Sequence, residues 1–245
     1  MNRIDTEAEF KTVVRGMGGV VLDDSLPKSR DFSNADFWFP EHQVVAELKC
    51  LEEELGNKSD FQKKISALYD LWVRDGRVQP RTEARFTMNL RDIPESCAHE
   101  FIEIFKKRLE FSTIKKADKQ IKQTKAHLGC ENAQGWLLIA NDGNLAMKPD
   151  MMLHLLFRII RSKYNAIHAV AYFSANQSVS IPGIPVPSFF WIDGILPGRQ
   201  PPPTVLRRQM ETEWMQHHST LVSVPIFQIQ VDKEPDVVEQ MNFIR

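Results

Sequence analysis

The chain has 245 residues, of which 42% are hydrophobic and 26% charged, and its formal net charge is -1. This composition is typical of a globular protein with a core, and it excludes a disordered tail, a collagen-like fibre and a coiled coil. Because the charge is close to neutral, any attraction to nucleic acid must come from a local patch.

Two further features predict where the protein resides. The three cysteines, Cys50, Cys97 and Cys130, are scattered and odd in number, which indicates reduced thiols in a cytoplasmic protein. No apolar run reaches the roughly 18 to 20 residues of a membrane span, and the polar N-terminus lacks the apolar core of a signal peptide. We therefore expect no association with a membrane.

The first fifty residues predict a helix, a strand and a β-hairpin. Phe10, Val13 and Val14 recur at helical spacing and predict a helix over residues 5–16, which Thr6 could cap. A short strand is predicted at residues 20–22. Two β-rich runs flank a turn that contains Pro40, between about residues 34 and 51, and this pattern is typical of a hairpin.

The remaining chain alternates between helices and strands. Three amphipathic helices are predicted between about residues 60 and 130, the third with its apolar stripe at Ile114, Ala117, Ile121 and Leu128. A strand at 136–140, a helix at 148–164 and a strand at 167–173 form a βαβ unit, so these strands should be parallel neighbours. A Pro-rich segment, a helix near 205–217 and an edge strand at 222–231 follow.

These elements predict an α/β protein with a mixed central sheet flanked by helices. We divide it into an α/β core of residues 1–56 and 131–180, a helical insertion at 57–130, and a Pro-rich C-terminal extension at 181–245.

The hairpin brings two acidic residues together. If the turn is centred at residues 41 and 42, Phe39 pairs with Val44, and Asp36 lies directly across from Glu47. Paired residues lie about 4.5 to 5.5 Å apart at Cβ, and like charges there repel each other. Such a pair therefore requires a nearby positive charge.

Lys49 and a divalent cation are the two candidates for that charge. Lys49 lies on the same strand face as Glu47. Carboxylate oxygens bind Mg²⁺, which retains waters and accepts phosphate oxygens as further ligands. The metal lowers the pKa of an attacking water and shields the leaving oxygen, while an ammonium group stabilises charge on the phosphate. Two acids and a lysine on one sheet face therefore suit phosphodiester hydrolysis.

Asp36, ten intervening residues and the triplet Glu47-Leu48-Lys49 resemble the motif of the restriction-endonuclease-like PD-(D/E)XK nuclease superfamily. The predicted order of elements over about residues 5–174 agrees with this family. The resemblance implies that Asp36, Glu47 and the backbone carbonyl of Leu48 bind Mg²⁺ (or Mn²⁺), and that Lys49 is catalytic.

The resemblance leaves one further ligand open. Many members of the superfamily also use a glutamate from the first helix, and either Glu7 or Glu9 could match it. The chain departs from the family pattern at Ala35, which occupies the position of the motif's proline.

A local excess of positive charge lies between residues 101 and 126, where eight Lys and Arg residues face three acidic ones. Segregation of this kind is needed for a phosphate-binding face. By helical spacing, Lys115, Lys119 and Lys122 share one stripe, and Gln120 and Gln123 share another flank. In some relatives a Gln or Lys of this crossover helix reaches the active site, so Gln120 or Gln123 could do so.

We therefore expect a metal-dependent nuclease that acts on DNA, with RNA as an open possibility. A homodimer would place two sites on the two strands of a duplex. The alternatives are a non-catalytic nucleic-acid-binding or interaction module with the same fold, and a structural partner that uses the Pro-rich segment as its contact.

Overall fold

A computed structural model describes residues 3–27, 29, 31–51, 59–80, 92–144, 147–181, 183–222 and 241–243. The strands are β1 (Val20–Val21), β2 (Phe37–Phe39), β3 (Val44–Leu51), β4 (Gln134–Asn141), β5 (Ala169–Ser174), β6 (Val179–Ser180), β7 (Trp191–Ile195) and β8 (Asn242–Phe243). The helices are α1 (Thr6–Gly16), α2 (Leu22–Ser25), α3 (Ser59–Arg74), α4 (Glu95–Leu109), α5 (Lys115–Leu128), α6 (Pro149–Lys163) and α7 (Thr204–Val222).

Among the described residues, six strands form one mixed sheet in the order β1-β2-β3-β4-β5-β7. β3, β4 and β5 run parallel, whereas β2 and β7 are antiparallel to their neighbours. The predicted α/β class and the parallel pairing of β4 with β5 are confirmed. β7 adds residues 191–195 to this sheet, a strand that the Pro-rich sequence around it did not predict.

Both faces of the sheet are covered by helices, as is usual for parallel strands. On β3, Val44, Ala46 and Leu48 belong to the core on one face, while Val45 and Leu51 belong to the core on the other. The side chains of Glu47 and Lys49 share the second face by strand alternation. The carboxylate of Glu47 therefore lies inside the molecule rather than on an open sheet surface.

The first face packs against α1 and α7. Phe10 and Trp214 are fully buried there, with ring centroids 5.1 Å apart. Asp5, rather than Thr6, caps α1, because its carboxylate accepts a hydrogen bond of 3.1 Å from the amide of Ala8. Val222 is the last residue of α7, so it does not begin the predicted edge strand, and residues 223–231 lie outside the described residues.

The second face packs against α3, α4, α5 and α6. The predicted apolar stripe of α5 is buried at Ile114, Ala117 and Ile121. This helix lies within the segment 57–130, yet it packs on β3 and forms the crossover into β4. A π-helical turn, Glu110–Ile114, joins α4 to α5. None of the described helices is long and apolar enough to cross a membrane.

Candidate active site

The β2–β3 hairpin has the register that the sequence predicts. Phe39 pairs with Val44 and Phe37 with Ala46, and a 3-10 turn, Pro40–His42, joins the strands. One further step of this register places Asp36 across from Glu47. The two acidic residues are thus neighbours at the point where β2 begins.

The short length of β2 determines how Asp36 meets β3. Because β2 starts at Phe37, its backbone does not reach Leu48, and the Oδ2 atom of Asp36 accepts the amide proton of Leu48 at 2.8 Å instead. The N–H and C=O of one strand residue point to the same side. The carbonyl of Leu48 therefore also points past the end of β2, towards Asp36.

Glu47 is completely buried. Its Oε1 atom accepts a hydrogen bond from the Nζ of Lys49, whereas its Oε2 atom is buried with no hydrogen-bond partner among the described residues. Burial, followed by the neighbouring Asp36, raises the pKa of Glu47 well above its usual value, although Lys49 opposes this shift. A buried oxygen of this kind is costly unless another group satisfies it, and a bound cation would do so.

The pKa of Asp36 is also raised, mainly by burial. The amide of Leu48 and the charge of Lys49 lower it, and the acidic Glu7 raises it. Glu7 of α1 is therefore near enough to influence the site, and its side chain is exposed. Glu9 lies elsewhere, since its Oε2 atom contacts the Nε2 of His217 on α7 at 2.7 Å.

Gln120 links β3 to the segment that precedes Asp36. Its Oε1 atom accepts a hydrogen bond of 3.0 Å from the Nζ of Lys49, and its Nε2 atom donates one of 2.8 Å to the carbonyl of Asn34. Of the two glutamines that the sequence singles out, Gln120 is the one that the structure places against Lys49.

Two further side chains of α5 hold the same segment. The Oγ1 atom of Thr124, which is fully buried, accepts the amide proton of Ala35 at 2.7 Å. The Oε1 atom of Gln123 accepts that of Ser33 at 3.3 Å. Gln123 thus contacts the backbone before Asp36 rather than Lys49. The sequence did not single out Thr124, although its spacing of four residues from Gln120 puts it on the same side of the helix.

The arrangement fits a hard divalent cation held by few protein ligands. Among the described residues, no group of three or more His, Cys, Asp or Glu side chains could hold a metal ion. Asp36 and Glu47 provide two carboxylates, and the Leu48 carbonyl provides a third oxygen on the same side. Mg²⁺ and Mn²⁺ prefer such oxygen ligands, and Mg²⁺ typically uses one or two carboxylates together with waters and phosphate.

Comparisons of this chain with protein-family models, with curated proteins and with solved structures found no match. A functional conclusion therefore depends on the geometry of the residues themselves.

The predicted lysine stripe lies on the exposed side of α5. Lys115, Lys119 and Lys122 are all exposed. The ammonium group of Lys115 lies 5.5 Å from the ring centroid of Phe111, whose side chain is itself 59% exposed. An exposed aromatic ring beside lysines is a combination that binds nucleic-acid strands.

A surface cleft of about 360 Å³ opens beside Glu7, between the start of α1 and the ends of β3 and β4. Arg3 and Asp142 form an ion pair of 3.1 Å at this cleft. The side-chain amide of Asn176 also donates a hydrogen bond to Asp142. The same amide donates to the carbonyl of Ile4, so Asn176 connects Asp142 with the backbone that precedes α1. The sequence predicted only a turn at 141–144; the available signal was the position of Asp142 after a parallel strand, where ligand sites concentrate.

Proposed function

We propose that this protein is a nuclease of the restriction-endonuclease-like type that uses Mg²⁺ or Mn²⁺ to hydrolyse phosphodiester bonds in DNA. The observation that carries the proposal is the buried carboxylate of Glu47. It lies across from Asp36, one of its oxygens has no hydrogen-bond partner among the described residues, and Lys49 contacts the other oxygen. The mixed sheet with helices on both faces is compatible with the core of that superfamily.

Each residue of the site has a role in this proposal. Asp36, Glu47 and the carbonyl of Leu48 hold the metal ion, which supplies Lewis acidity and lowers the pKa of a bound water. Lys49, held between Glu47 and Gln120, orients the nucleophilic water and stabilises negative charge on the phosphate. Glu7, rather than Glu9, is the glutamate of the first helix that assists the site.

The lysine stripe of α5 supplies contacts to the nucleic-acid backbone in the same proposal. Lys115, Lys119 and Lys122 neutralise phosphates without reading the base sequence. A homodimer would bring two such sites to a duplex, with one for each strand.

The proposal is tested by incubating the protein with circular DNA, linear DNA and single-stranded RNA, with Mg²⁺ or with a chelator. We expect cleavage of DNA that requires the metal, and cleavage by Asp36→Asn that is slower by about 10²-fold or more. Products from circular DNA would identify an endonuclease, whereas products from linear DNA alone would identify an exonuclease. Binding of nucleic acid without metal and without any cleavage would instead indicate a non-catalytic binding module.

A further inference from the structure

A second cleft, with a volume of about 420 Å³, lies between the C-terminal half of α5 and the end of α6. Lys122, Lys125 and Lys163 line it together with His168. Lys125 follows Gln120 by five residues, which rotates its side chain by roughly 140° around the helix axis. The cleft is therefore on a different side of α5 from the proposed catalytic site, and it has no role in that site.

Lys125 is a buried ammonium group with no acidic partner among the described residues. Its residue is 5% exposed, and its Nζ atom donates a single long hydrogen bond, 3.3 Å, to the carbonyl of Ala166. No acidic side chain in the described part of the chain forms an ion pair with it, although buried charges are normally paired. Burial lowers the pKa of Lys125 to about 8, so the group remains largely charged at neutral pH and would be stabilised by a bound counter-charge.

His168 provides a neutral donor in the same cleft. Its Nδ1 atom lies 2.9 Å from the backbone nitrogen of Gly135, which can only donate, and 3.0 Å from the carbonyl oxygen of Ala166, which can only accept. In the tautomer that accepts the amide proton of Gly135, the proton of the neutral ring is on Nε2. Burial, together with the charge of Lys125, lowers the pKa of His168 to about 4, so the ring stays neutral at physiological pH and keeps one N–H donor.

The charges of the cleft favour an anion. Its three ammonium groups face the two carboxylates of Asp118 and Glu131. One oxygen of Asp118 already accepts the amide proton of Ala166 at 2.9 Å, and Glu131 is exposed. Lys163, at the rim, forms an ion pair of 3.0 Å with Glu110, a residue that does not line the cleft.

We propose that this cleft binds a phosphate group, with Lys125 and His168 as the inner donors and Lys122 and Lys163 at its rim. A phosphate has several strong acceptor oxygens and can receive hydrogen bonds from donors on different walls. The phosphate belongs either to a free anion or to a nucleic-acid backbone. The second source is consistent with Lys122, which also belongs to the exposed lysine stripe of α5.

The test measures binding of inorganic phosphate and, separately, of a short single-stranded oligonucleotide, both with a chelator present so that no cleavage occurs. We expect Lys125→Met to weaken binding by about tenfold or more, the loss of one charge-assisted hydrogen bond. Lys116→Met, which removes the same charge from an exposed position of α5, is the matched control and should bind as the wild type does.

The two arms distinguish the source of the phosphate. An effect of Lys125→Met on inorganic phosphate indicates a free anion, and an effect on the oligonucleotide alone indicates a nucleic-acid backbone. Equal affinities of Lys125→Met and wild type for both ligands would overturn the proposal.

A second measurement uses the wild-type protein, so its result does not depend on whether Lys125→Met folds. With isotope-labelled lysine, NMR should show the pKa of Lys125 rising from about 8 when the ligand that binds is added, because a bound anion stabilises the charged form. The groups around this lysine also include Asp118, Cys130 and His168. Their ionisation should be followed in the same titration. A titration of Lys125 that neither ligand changes would contradict the proposal.

Discussion

Lys49 and Gln120, which are 71 residues apart in the sequence, are joined by a hydrogen bond of 3.0 Å between Nζ and Oε1. Because Gln120 also donates to the carbonyl of Asn34, one side chain fixes both the lysine and the segment that leads into Asp36. The crossover helix thereby sets the distance between Asp36, a proposed metal ligand, and the amine of Lys49.

Replacement of Gln120 by leucine should therefore reduce kcat rather than increase KM. The ammonium group of Lys49 loses one of its two fixed partners, and we expect a decrease of about ten- to a hundredfold in cleavage, since small misplacements at a reacting centre have effects of this size. Gln123→Leu is the matched comparison on the same helix and should have a smaller effect. A larger loss for Gln123→Leu would show that the wrong glutamine has been assigned.

The acidic residue and the lysine of the site should both be essential. Asp36→Asn removes a proposed metal ligand, and Lys49→Met removes the amine while approximately keeping the length of the side chain. We expect each to reduce metal-dependent cleavage by about 10²-fold or more, with a circular dichroism spectrum like that of the wild type. Glu41→Gln, an exposed change in the turn of the same hairpin, should leave the rate unchanged. Wild-type cleavage by either site variant would remove the catalytic assignment.

Stability should depend on pH through Glu47 and Asp36. Both pKa values are raised by folding, so the folded chain binds these protons more tightly than the unfolded chain does. The free energy of unfolding of the metal-free protein should consequently fall as pH increases from the unfolded value, about 4, towards the raised folded values. Thermal melts of wild type and Glu47→Gln across this range provide the measurement, and the variant should show a flatter profile.

The same linkage predicts a pH-dependent effect of Mg²⁺. In the proposed site the cation binds the ionised carboxylates, so its addition should raise Tm more at pH 8 than at pH 5. An equal shift at both pH values, or an undiminished shift in Glu47→Gln, would indicate binding elsewhere.

Replacements of the two glutamates of α1, Glu7 and Glu9, should have different effects on cleavage. Glu7→Gln should lower metal-dependent cleavage, because Glu7 is the glutamate whose charge acts on Asp36. Glu9→Gln should leave cleavage unchanged and reduce stability by no more than about 1 kcal/mol, as expected for a partly exposed contact with His217. Rate assays and thermal melts of both variants would test the assignment, and the reverse pattern would contradict it.

The lysine stripe predicts how nucleic-acid binding responds to salt. Replacing Lys115, Lys119 and Lys122 with glutamine should weaken binding, and should reduce the slope of log K against log salt by roughly 0.7 to 0.9 for each phosphate that is no longer neutralised. Lys64→Gln, an exposed change on α3, serves as the control. An unchanged slope in the triple variant would place the binding surface elsewhere.

The hairpin shows what local sequence can determine. The strand alternation and the Pro-containing turn are short-range signals, and together they predicted the pairing of Phe39 with Val44 that brings Asp36 to Glu47. The amphipathic pattern that predicted this helix was equally local. Burial of Ile114, Ala117 and Ile121 is confirmed, whereas Leu128, the fourth residue of the predicted stripe, is only partly buried.

Features that depend on distant pairing could not be predicted. β7 forms because Ala169 pairs with Ile195, and that contact crosses a segment rich in proline. The choice between Gln120 and Gln123 depends on the rotation of α5 about its axis, which packing against the sheet determines. The choice between Glu7 and Glu9 depends on α7, whose His217 contacts Glu9.

Because β2 has only three residues, a side chain rather than a strand backbone meets Leu48. If β2 began two residues earlier, its backbone would pair with Leu48. That backbone would take the place that the carboxylate of Asp36 now occupies. The sheet would gain hydrogen bonds, but the carboxylate of Asp36 would lose its contact with the amide of Leu48. In this molecule, incomplete strand pairing leaves the amide of Leu48 available to the Asp36 carboxylate, one of the two acids of the proposed catalytic centre.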